Sequence, residues 1–403
     1  MIENDLSDNY RKKKITVATL STFYPPISGS HLRIYHLYKN LSKWFDIEVV
    51  HYAECNTKIR KTEIYPGLWE ISVPKSYKHS NAENDLYNNN YTWFNLHLLT
   101  PEYLLELEKS SKSSEVVICS HPYSFPAVKE IKTKKIWYDS HNFEYQLQKS
   151  LKSNIHNDKF LIDIKKIEEE CCKTSKLIMP CSLEDKNSMS QEYNVDTNKF
   201  FVVPNGTDTD NTKCVLPEER YRFKEKNSMN KNLSAFFIGA YWEPNILAVE
   251  MIIKLAQKLP DVIFIISGNV CDYFKNKIIP SNVKLTGEIS ARQKQLLFSY
   301  TDIGLNPMLL GSGTNIKMLE YLAYGLPVIT TPLGARGLNL KTNNNCIICE
   351  IDDFYKSIID FKNYSLIERN KLAINARKYV ESEFNWRVIA ERTYNHIKDN
   401  KLV

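Results

Sequence analysis

The chain has 403 residues, of which 43% are hydrophobic and 25% are charged, and its formal net charge at pH 7 is +6. This length exceeds what one ordinary core supports and predicts two α/β domains of similar size. The mild and interspersed charge gives no indication of a nucleic-acid partner. No apolar run approaches the roughly 18 residues of a membrane span, and the polar N-terminus lacks the apolar core of a signal peptide, so we expect a cytoplasmic protein.

Nine cysteines are scattered along the chain, mostly within apolar runs. An odd and scattered set favours reduced core thiols over a disulfide framework. Cys346 and Cys349 have CxxC spacing, but no second CxxC or histidine pair accompanies them, so the pattern does not complete a zinc site.

The first half opens with the alternation typical of a Rossmann-like fold. A buried strand is predicted over 15–21, a helix over 31–45 and a second strand over 46–52, which together make a right-handed parallel unit. The turn after the first strand carries Gly29 and Ser30. Because ligands of parallel sheets bind at the carboxyl ends of strands, both residues are candidates for ligand binding.

Residues 55–114 are harder to interpret. A strand pair is predicted through 62–73, an exposed Asn-rich loop over 81–90 and a helix through the apolar spacing of 91–107. We expect that last stretch to pack in the core, and a helix lying on a membrane surface is the alternative that the sequence leaves open.

Three basic clusters lie in the first half, at 11–14, at 132, 134 and 135, and at 165–166. Together they would suit anionic lipid headgroups or a polyanionic acceptor. A solvated surface is the commoner explanation in a Lys-rich composition, and we expect it for each cluster taken singly.

Two predicted strands, 116–122 and 135–142, run into polar tips at the same edge of the sheet. His141 lies between a serine and an asparagine at the carboxyl end of the second strand, a position that favours ligand contact over a structural role. His121 is similarly placed, with weaker support.

The sequence Asp208-Thr209-Asp210 has the spacing by which two carboxylates can hold a divalent cation and a diphosphate. The preceding Pro204-Asn205-Gly206 indicates instead a turn after a strand, so we expect no metal there. The polar stretch 210–232 predicts a flexible insertion near a hinge.

The second half repeats the alternation of strands and helices. A strand over 233–239 ends in a glycine turn at Gly239, and a helix follows over 247–259. The strand over 283–288 ends at Gly287 and Glu288. The other predicted elements are strands over 177–182, 262–268, 302–307, 328–331 and 346–350 and helices over 158–173, 183–193, 366–384 and 386–398.

The stretch GSGTNIKMLEYLAYGLPVITTPLGARG, residues 311–337, is the most informative one. Two glycines, a threonine and an asparagine form a loop rich in free backbone N–H groups, and the apolar spacing after them predicts a helix. The unpaired amides and the positive dipole end of that helix suit a phosphate or diphosphate. Lys317 adds a point charge.

This stretch resembles the donor-binding motif of GT-B-fold glycosyltransferases, in particular the retaining family 4 class. The resemblance places Glu320 on the ribose hydroxyls of the nucleotide. The family often has a second Glu eight residues earlier, facing the transferred sugar, where this chain has Ser312; the departure resembles a variant branch whose loop reads Gly-x-Gly-Thr-x-x-Lys. The tip YDSHNFE resembles the family's first-domain histidine motif, which places His141 near the reacting sugar.

The resemblance implies two Rossmann-like domains facing across a donor cleft: an acceptor domain over 1–200, a nucleotide-sugar domain over 201–383 and a C-terminal helix over 384–403 that returns to the first domain. Many relatives carry an Arg and a Lys after the turn at Gly239, and this chain has neither before Asn245, which leaves Lys317 as the cation. The implied catalytic residues are His141 and Lys317. The implied donor-binding residues are Gly29, Ser30, Gly239, Gly287, Glu288, Gly311, Ser312, Gly313, Thr314, Asn315 and Glu320.

The implied activity is retaining transfer of a sugar from a nucleoside-diphosphate sugar to an acceptor hydroxyl, without a metal or other cofactor. The implied setting is the assembly of cell-envelope polysaccharide, glycolipid or glycoprotein in the cytoplasm, with peripheral contact at the inner face of a membrane. The alternatives are a nucleotide-sugar epimerase and an inactive or partner-dependent homologue, the latter because of Ser312 and the missing Arg/Lys pair. A two-domain sugar-binding protein fits the motifs less well. The sugar, the base, the acceptor and the oligomeric state stay open.

Overall fold

The structure is a computed structural model, and it describes residues 12–84, 93–133, 135–151, 158–229, 231–311 and 313–403. Ser312, Arg11, Lys134 and most of the predicted Asn-rich loop lie outside the described residues.

A seven-stranded sheet forms the core of the first half, in the order β3-β4-β2-β1-β5-β6-β7. All neighbours are parallel except β3 and β4, which form an antiparallel hairpin at one edge. Every residue of β5, β6 and β7 is buried, as expected for strands covered by helices on both faces. The strands are β1 Lys13–Ala18, β2 Phe45–Ala53, β3 Arg60–Tyr65, β4 Leu68–Pro74, β5 Val116–Ser120, β6 Ile136–Ser140 and β7 Leu177–Pro180.

A six-stranded parallel sheet forms the core of the second half, in the order β10-β9-β8-β11-β12-β13. The central strand β8 begins where the buried run Ala235-Phe236-Phe237 enters the interior. The strands are β8 Ser234–Ile238, β9 Ile263–Ser267, β10 Val283–Gly287, β11 Ile303–Asn306, β12 Val328–Thr330 and β13 Ile347–Ile348.

Helices cover both sheets, and apolar residues at helical spacing give each its buried face. In α1, for example, Ile34, Leu37 and Leu41 are buried and Ser28 caps the first turn. The helices are α1 Gly29–Leu41, α2 Tyr77–Asn84, α3 Pro101–Ser111, α4 Phe125–Glu130, α5 Glu144–Ser150, α6 Asp158–Thr174, α7 Leu183–Tyr193, α8 Pro217–Lys226, α9 Glu243–Lys258, α10 Ala291–Tyr300, α11 Ile316–Ala323, α12 Phe354–Asn363, α13 Leu366–Glu383 and α14 Trp386–Asp399.

The C-terminal helix α14 packs against the first half of the chain. Its Trp386 and Ile389 belong to the same apolar cluster as β1 and β2, and Tyr394 stacks on Trp44 with ring centroids 4.4 Å apart. The predicted return of the last helix is therefore confirmed. The domain boundaries after residues 200 and 383 stay a prediction.

The expectation of a flexible insertion over 210–232 was wrong, because that stretch contains α8. Arg220 of this helix is buried, and its guanidinium donates to the carbonyl oxygens of Thr301 at 3.3 Å and Tyr324 at 2.7 Å. Lys224 pairs with Asp302. The polar composition of this stretch predicted exposure. Composition does not show that long cationic side chains can bury their apolar stems and pair with groups in the interior.

The expected loop over 81–90 and helix over 91–107 were also partly wrong. Residues 81–84 are the end of α2, and the second stretch divides into a short 3-10 turn at Leu96–Leu99 and the helix α3, which begins at Pro101. Proline favours the first position of a helix and so separates the two pieces. In α3, Tyr103 and Leu107 are buried whereas Leu105 is 64% exposed. None of the described helices is long and apolar enough to cross a membrane.

Candidate active site

The carboxyl edges of the two sheets face each other, and three close contacts join them. A Cβ atom on Gly29 would lie 2.9 Å from Cδ1 of Ile316. A Cβ atom on Gly313 would lie 2.6 Å from Oδ1 of Asn142. The Asn205 side-chain amide donates to Oγ1 of Thr314 at 2.8 Å. The glycine loops of the two halves therefore border one cleft.

The loop before α11 turns at two glycines with positive φ, Gly311 at +139° and Gly313 at +66°. Apart from its chain neighbours, no described residue lies within 4 Å of the missing Cβ of Gly311, so there is open space beside the backbone there. The loop ends at Asn315, the residue before α11, and the Asn315 side chain makes no capping hydrogen bond. The Met318 amide donates to the Asn315 carbonyl at 3.0 Å, whereas the Ile316 and Lys317 amides have no acceptor among the described residues. The start of α11 therefore suits an anion.

Lys317 lies in the first turn of α11 and points into the second half. Its Nζ donates to Oδ1 of Asn245 at 2.6 Å and lies 4.2 Å from the ring centroid of Phe237. Burial lowers the pKa of Lys317 to about 7, because no carboxylate offsets its desolvation among the described residues. A diphosphate at this loop would stabilise the charged amine.

Gly239 and Gly287, both predicted at strand ends, are joined through Gly268. The Gly268 N–H donates to the Gly287 carbonyl at 2.7 Å, and a Cβ on Gly268 would lie 2.1 Å from the Gly239 carbonyl oxygen. Glu288 is exposed and makes no hydrogen bond or ion pair with another described residue. Its predicted part in donor binding stays a prediction.

Glu320 lies one turn beyond Lys317 on α11. Its Oε1 accepts from Nζ of Lys294 at 2.8 Å, and this carboxylate raises the pKa of Lys294 against the opposing effect of burial. Sequence reasoning missed Lys294, which lies on α10 26 residues earlier. A ribose on Glu320 would share the carboxylate with this lysine.

His141 follows β6 at the edge of the cleft. Its Nε2 lies 2.9 Å from Oγ of Ser120 and 3.6 Å from Oδ2 of Asp139. Its Nδ1 is buried and has no partner among the described residues. A buried ring nitrogen without a partner is a position that a ligand hydroxyl could fill.

Arg33 of α1 fixes the strand end that carries His141. The guanidinium donates to Oδ1 of Asp139 at 2.6 and 2.8 Å, to the Val203 carbonyl at 2.8 Å and to Oδ1 of Asn205 at 3.2 Å. Burial alone would raise the pKa of Asp139, but Arg33 and His141 hold it well below its usual range. Sequence reasoning missed this pair, whose partners are 106 positions apart.

His121 adds a second imidazole to the site. It adopts a φ of +78°, which is rare outside glycine. Its ring centroid lies 4.7 Å from that of His141, and its Nδ1 lies 3.7 Å from Oε2 of Glu144. Burial lowers the pKa of His121 to about 4, so the ring is neutral at pH 7.

Glu168 of α6 holds the loop between His141 and α5. Its two oxygens accept from the backbone amides of Glu144 at 3.0 Å and Tyr145 at 2.9 Å and from the hydroxyls of Tyr138 at 2.9 Å and Tyr193 at 2.8 Å. Burial raises the pKa of Glu168 to about 7. Four donors on one carboxylate leave this loop little freedom.

The remaining predicted residues take local roles. Ser30 Oγ lies 3.3 Å from Oγ of Ser28 in the first turn of α1. Asp208 accepts from the side chain and backbone of Asn211, and Asp210 accepts from Asn385. Among the described residues, no three His, Cys, Asp or Glu side chains are grouped as metal ligands.

Residues 233–362 match a family model described as glycosyl transferases group 1. No curated protein matches the sequence. Among solved structures, sucrose-phosphate synthase from Thermosynechococcus elongatus is similar at a TM-score of 0.76 and 11% identity, over 97% of this chain and 100% of that one.

Two further similar structures are complexes with nucleotide-sugars. Anabaena HepE in complex with UDP-glucose matches at a TM-score of 0.69 and 14% identity, over 96% of this chain and 99% of that one. Trehalose-6-phosphate from E. coli bound with UDP-2-fluoro glucose matches at a TM-score of 0.67 and 13% identity, over 96% and 99%. At such identities the likeness establishes the fold, which is GT-B.

Proposed function

We propose that the chain is a family 4-like GT-B glycosyltransferase that transfers a sugar from a nucleotide-sugar to an acceptor hydroxyl with retention of anomeric configuration. One observation carries the proposal: the glycine loop before α11 lies against the loop after β6, with Gly313 beside Asn142 and next to His141. A nucleotide-sugar with its diphosphate at the glycine loop before α11 would have its sugar at the loop after β6.

The donor diphosphate is proposed to lie at the N-terminus of α11. As the sugar departs, the diphosphate gains negative charge, which the Thr314 and Asn315 amides, the helix dipole and Lys317 would offset. Lys317 would approach the diphosphate from the interior of the second half, where its Nζ donates to Oδ1 of Asn245 at 2.6 Å. Domain closure over the donor would exclude water.

At the sugar end, His141 is proposed to contact the sugar hydroxyls through its free Nδ1. Retention is proposed to follow from front-face attack: the acceptor oxygen bonds to C1 on the side that the diphosphate leaves, and the acceptor proton passes to the departing phosphate oxygen. This route needs no nucleophilic carboxylate close to the sugar, unlike the paired scheme of retaining glycosidases.

A uridine diphosphate donor is the first to test, because two similar structures are complexes with UDP-sugars. We propose that the acceptor belongs to cell-envelope polysaccharide, glycolipid or glycoprotein assembly in the cytoplasm. Peripheral membrane contact is proposed on the side of Leu98 and Leu105, which are 61% and 64% exposed. We propose that no metal takes part.

The acceptor is unknown, but slow hydrolysis of the donor uses water in its place. Proton NMR of the sugar that this hydrolysis releases from UDP-sugars therefore tests the proposed function. Retention predicts that the first anomer to appear has the configuration of the donor. The opposite anomer would refute the retaining mechanism.

An inactive or partner-dependent homologue is the second candidate, because Ser312 and the missing Arg/Lys pair depart from the family pattern. That candidate predicts nucleotide binding without donor turnover. An epimerase predicts conversion of the donor to another nucleotide-sugar with no acceptor present. The same NMR experiment distinguishes both from transfer.

A further inference from the structure

We propose that the first half carries a second anion-binding site, a pocket for a phosphate group on the face opposite the donor cleft. This basic pocket has a volume of about 350 Å³. It lies where the amino ends of β1 and β2, the end of α1 and the start of α14 meet. Its charged lining residues are Lys12, Lys39, Lys43, Arg387 and Glu391.

Three of the four cations have no acidic side chain beside them among the described residues. Lys12 Nζ donates to the Ser42 carbonyl at 2.8 Å. Lys39 Nζ lies 4.9 Å from the ring centroid of Tyr65, and Lys43 lies over the neighbouring Trp44 ring. Within the part of the chain that the structure describes, none of the three has a carboxylate oxygen within 4 Å.

The fourth cation, Arg387, lies 3.6 Å from Glu391 and 3.7 Å from Asp210. Both contacts are long and exposed, so they leave the guanidinium free to take a better acceptor. The lining side chains carry four positive charges and one negative charge. Convergent like charges repel, and a bound anion removes that repulsion.

The walls of the basic pocket are fixed by contacts that do not involve its cations. Trp44 stacks on Tyr394 of α14 with an interplanar angle of 6°. Ser42 Oγ donates to the carbonyl of Pro66 at 2.9 Å, which holds the turn between β3 and β4 against the end of α1. Fixed walls with four cations around them suit capture of a small anion.

A phosphate group matches this arrangement, because lysines act on it as point charges and arginine can bind two of its oxygens. The phosphate can come from a soluble phosphorylated compound or from a phospholipid headgroup. The pocket lies apart from the donor cleft: the 13 residues of α1, with Gly29 at the cleft end, span about 20 Å at 1.5 Å per residue.

The test is phosphate titration of a double variant, Lys39→Gln with Lys43→Gln. Its control is Lys254→Gln with Lys258→Gln on α9, which removes the same charge at the same spacing from exposed positions. Both are made in a Lys317→Ala background, so that the cleft does not contribute its own cation. We expect calorimetric affinity for inorganic phosphate and pyrophosphate to fall about tenfold or more in the first variant alone.

Vesicles distinguish the two sources of phosphate. Sedimentation with phosphatidylcholine vesicles is compared with sedimentation with vesicles of equal parts phosphatidylcholine and phosphatidylglycerol. If the Lys39/Lys43 variant no longer binds soluble phosphate, the ligand is a soluble phosphorylated compound. If the variant loses only its binding to the anionic vesicles, the ligand is a phospholipid headgroup. Equal behaviour of the two double variants in both assays would overturn the proposal, as would no binding by the parent chain.

Discussion

Nucleotide binding should be coupled to proton uptake at Lys317. Burial lowers the pKa of this amine to about 7, so about half of it is neutral at pH 7 and about nine-tenths at pH 8. A diphosphate at the N-terminus of α11 favours the ammonium form and returns the pKa towards that of a free lysine. Binding at pH 8 should therefore take up about 0.9 of a proton.

The sign of the pH dependence follows from the same pKa. At pH 6 the amine is already charged and binding takes up little. Above pH 7 the free protein must bind a proton to hold the diphosphate, so affinity falls as pH rises, by up to tenfold or about 1.4 kcal/mol per pH unit. The terminal phosphate of a nucleoside diphosphate has a pKa of about 6, so it is almost fully ionised at pH 8 and does not mask the effect there.

Isothermal titration calorimetry of the nucleoside diphosphate in two buffers of different ionisation enthalpy measures the uptake directly. The difference in binding heat divided by the difference in buffer enthalpy gives the number of protons. Lys317→Met is the matched variant and should take up none. Zero uptake by the wild-type protein at pH 8, with binding intact, would refute the placement of Lys317 beside the phosphates.

Three other substitutions test the site and its support. Gly313→Val adds a Cβ 2.6 Å from Oδ1 of Asn142 at a φ of +66°, so calorimetry should detect no nucleotide binding by a cooperatively folded protein; unchanged affinity would contradict this. Glu320→Gln removes the charge assigned to the ribose, and the donor Kd should rise about tenfold or more, whereas an unchanged Kd would remove Glu320 from the site. Arg33→Met leaves Asp139 buried without its cation, and urea unfolding at pH 7 should show a loss of about 3–5 kcal/mol; a loss under about 1 kcal/mol would show that the pair is dispensable.

The alternation of strands and helices was predictable because local pattern determines it. The helix over 183–193 was predicted at the bounds of α7, and the strand over 233–239 differs from β8 by one residue at each end. The error over 210–232 has a physical cause. Arg220 and Lys224 of α8 are buried through pairing with groups some 80 residues later, and composition carries no information about such pairing.

The residues of the glycine loop were predictable, but their partners were not. The motif identifies Lys317 and Glu320. Their partners Asn245 and Lys294 lie on other elements, and the fold of the second sheet brings them together. The same holds for His141, whose motif predicts a ligand contact but not the Arg33 and Asp139 pair behind it. Contacts of this kind depend on topology, which local patterns do not specify.

We expect the site between the two halves to bind a nucleoside diphosphate without a metal. Thermal-shift measurements against UDP, GDP, ADP, CMP and dTDP, each with and without magnesium, test it most directly. One nucleoside diphosphate should raise the Tm of the wild-type protein without magnesium and leave that of Lys317→Ala and Glu320→Ala nearly unchanged. Stabilisation that requires magnesium, or none by any of the five, would contradict it.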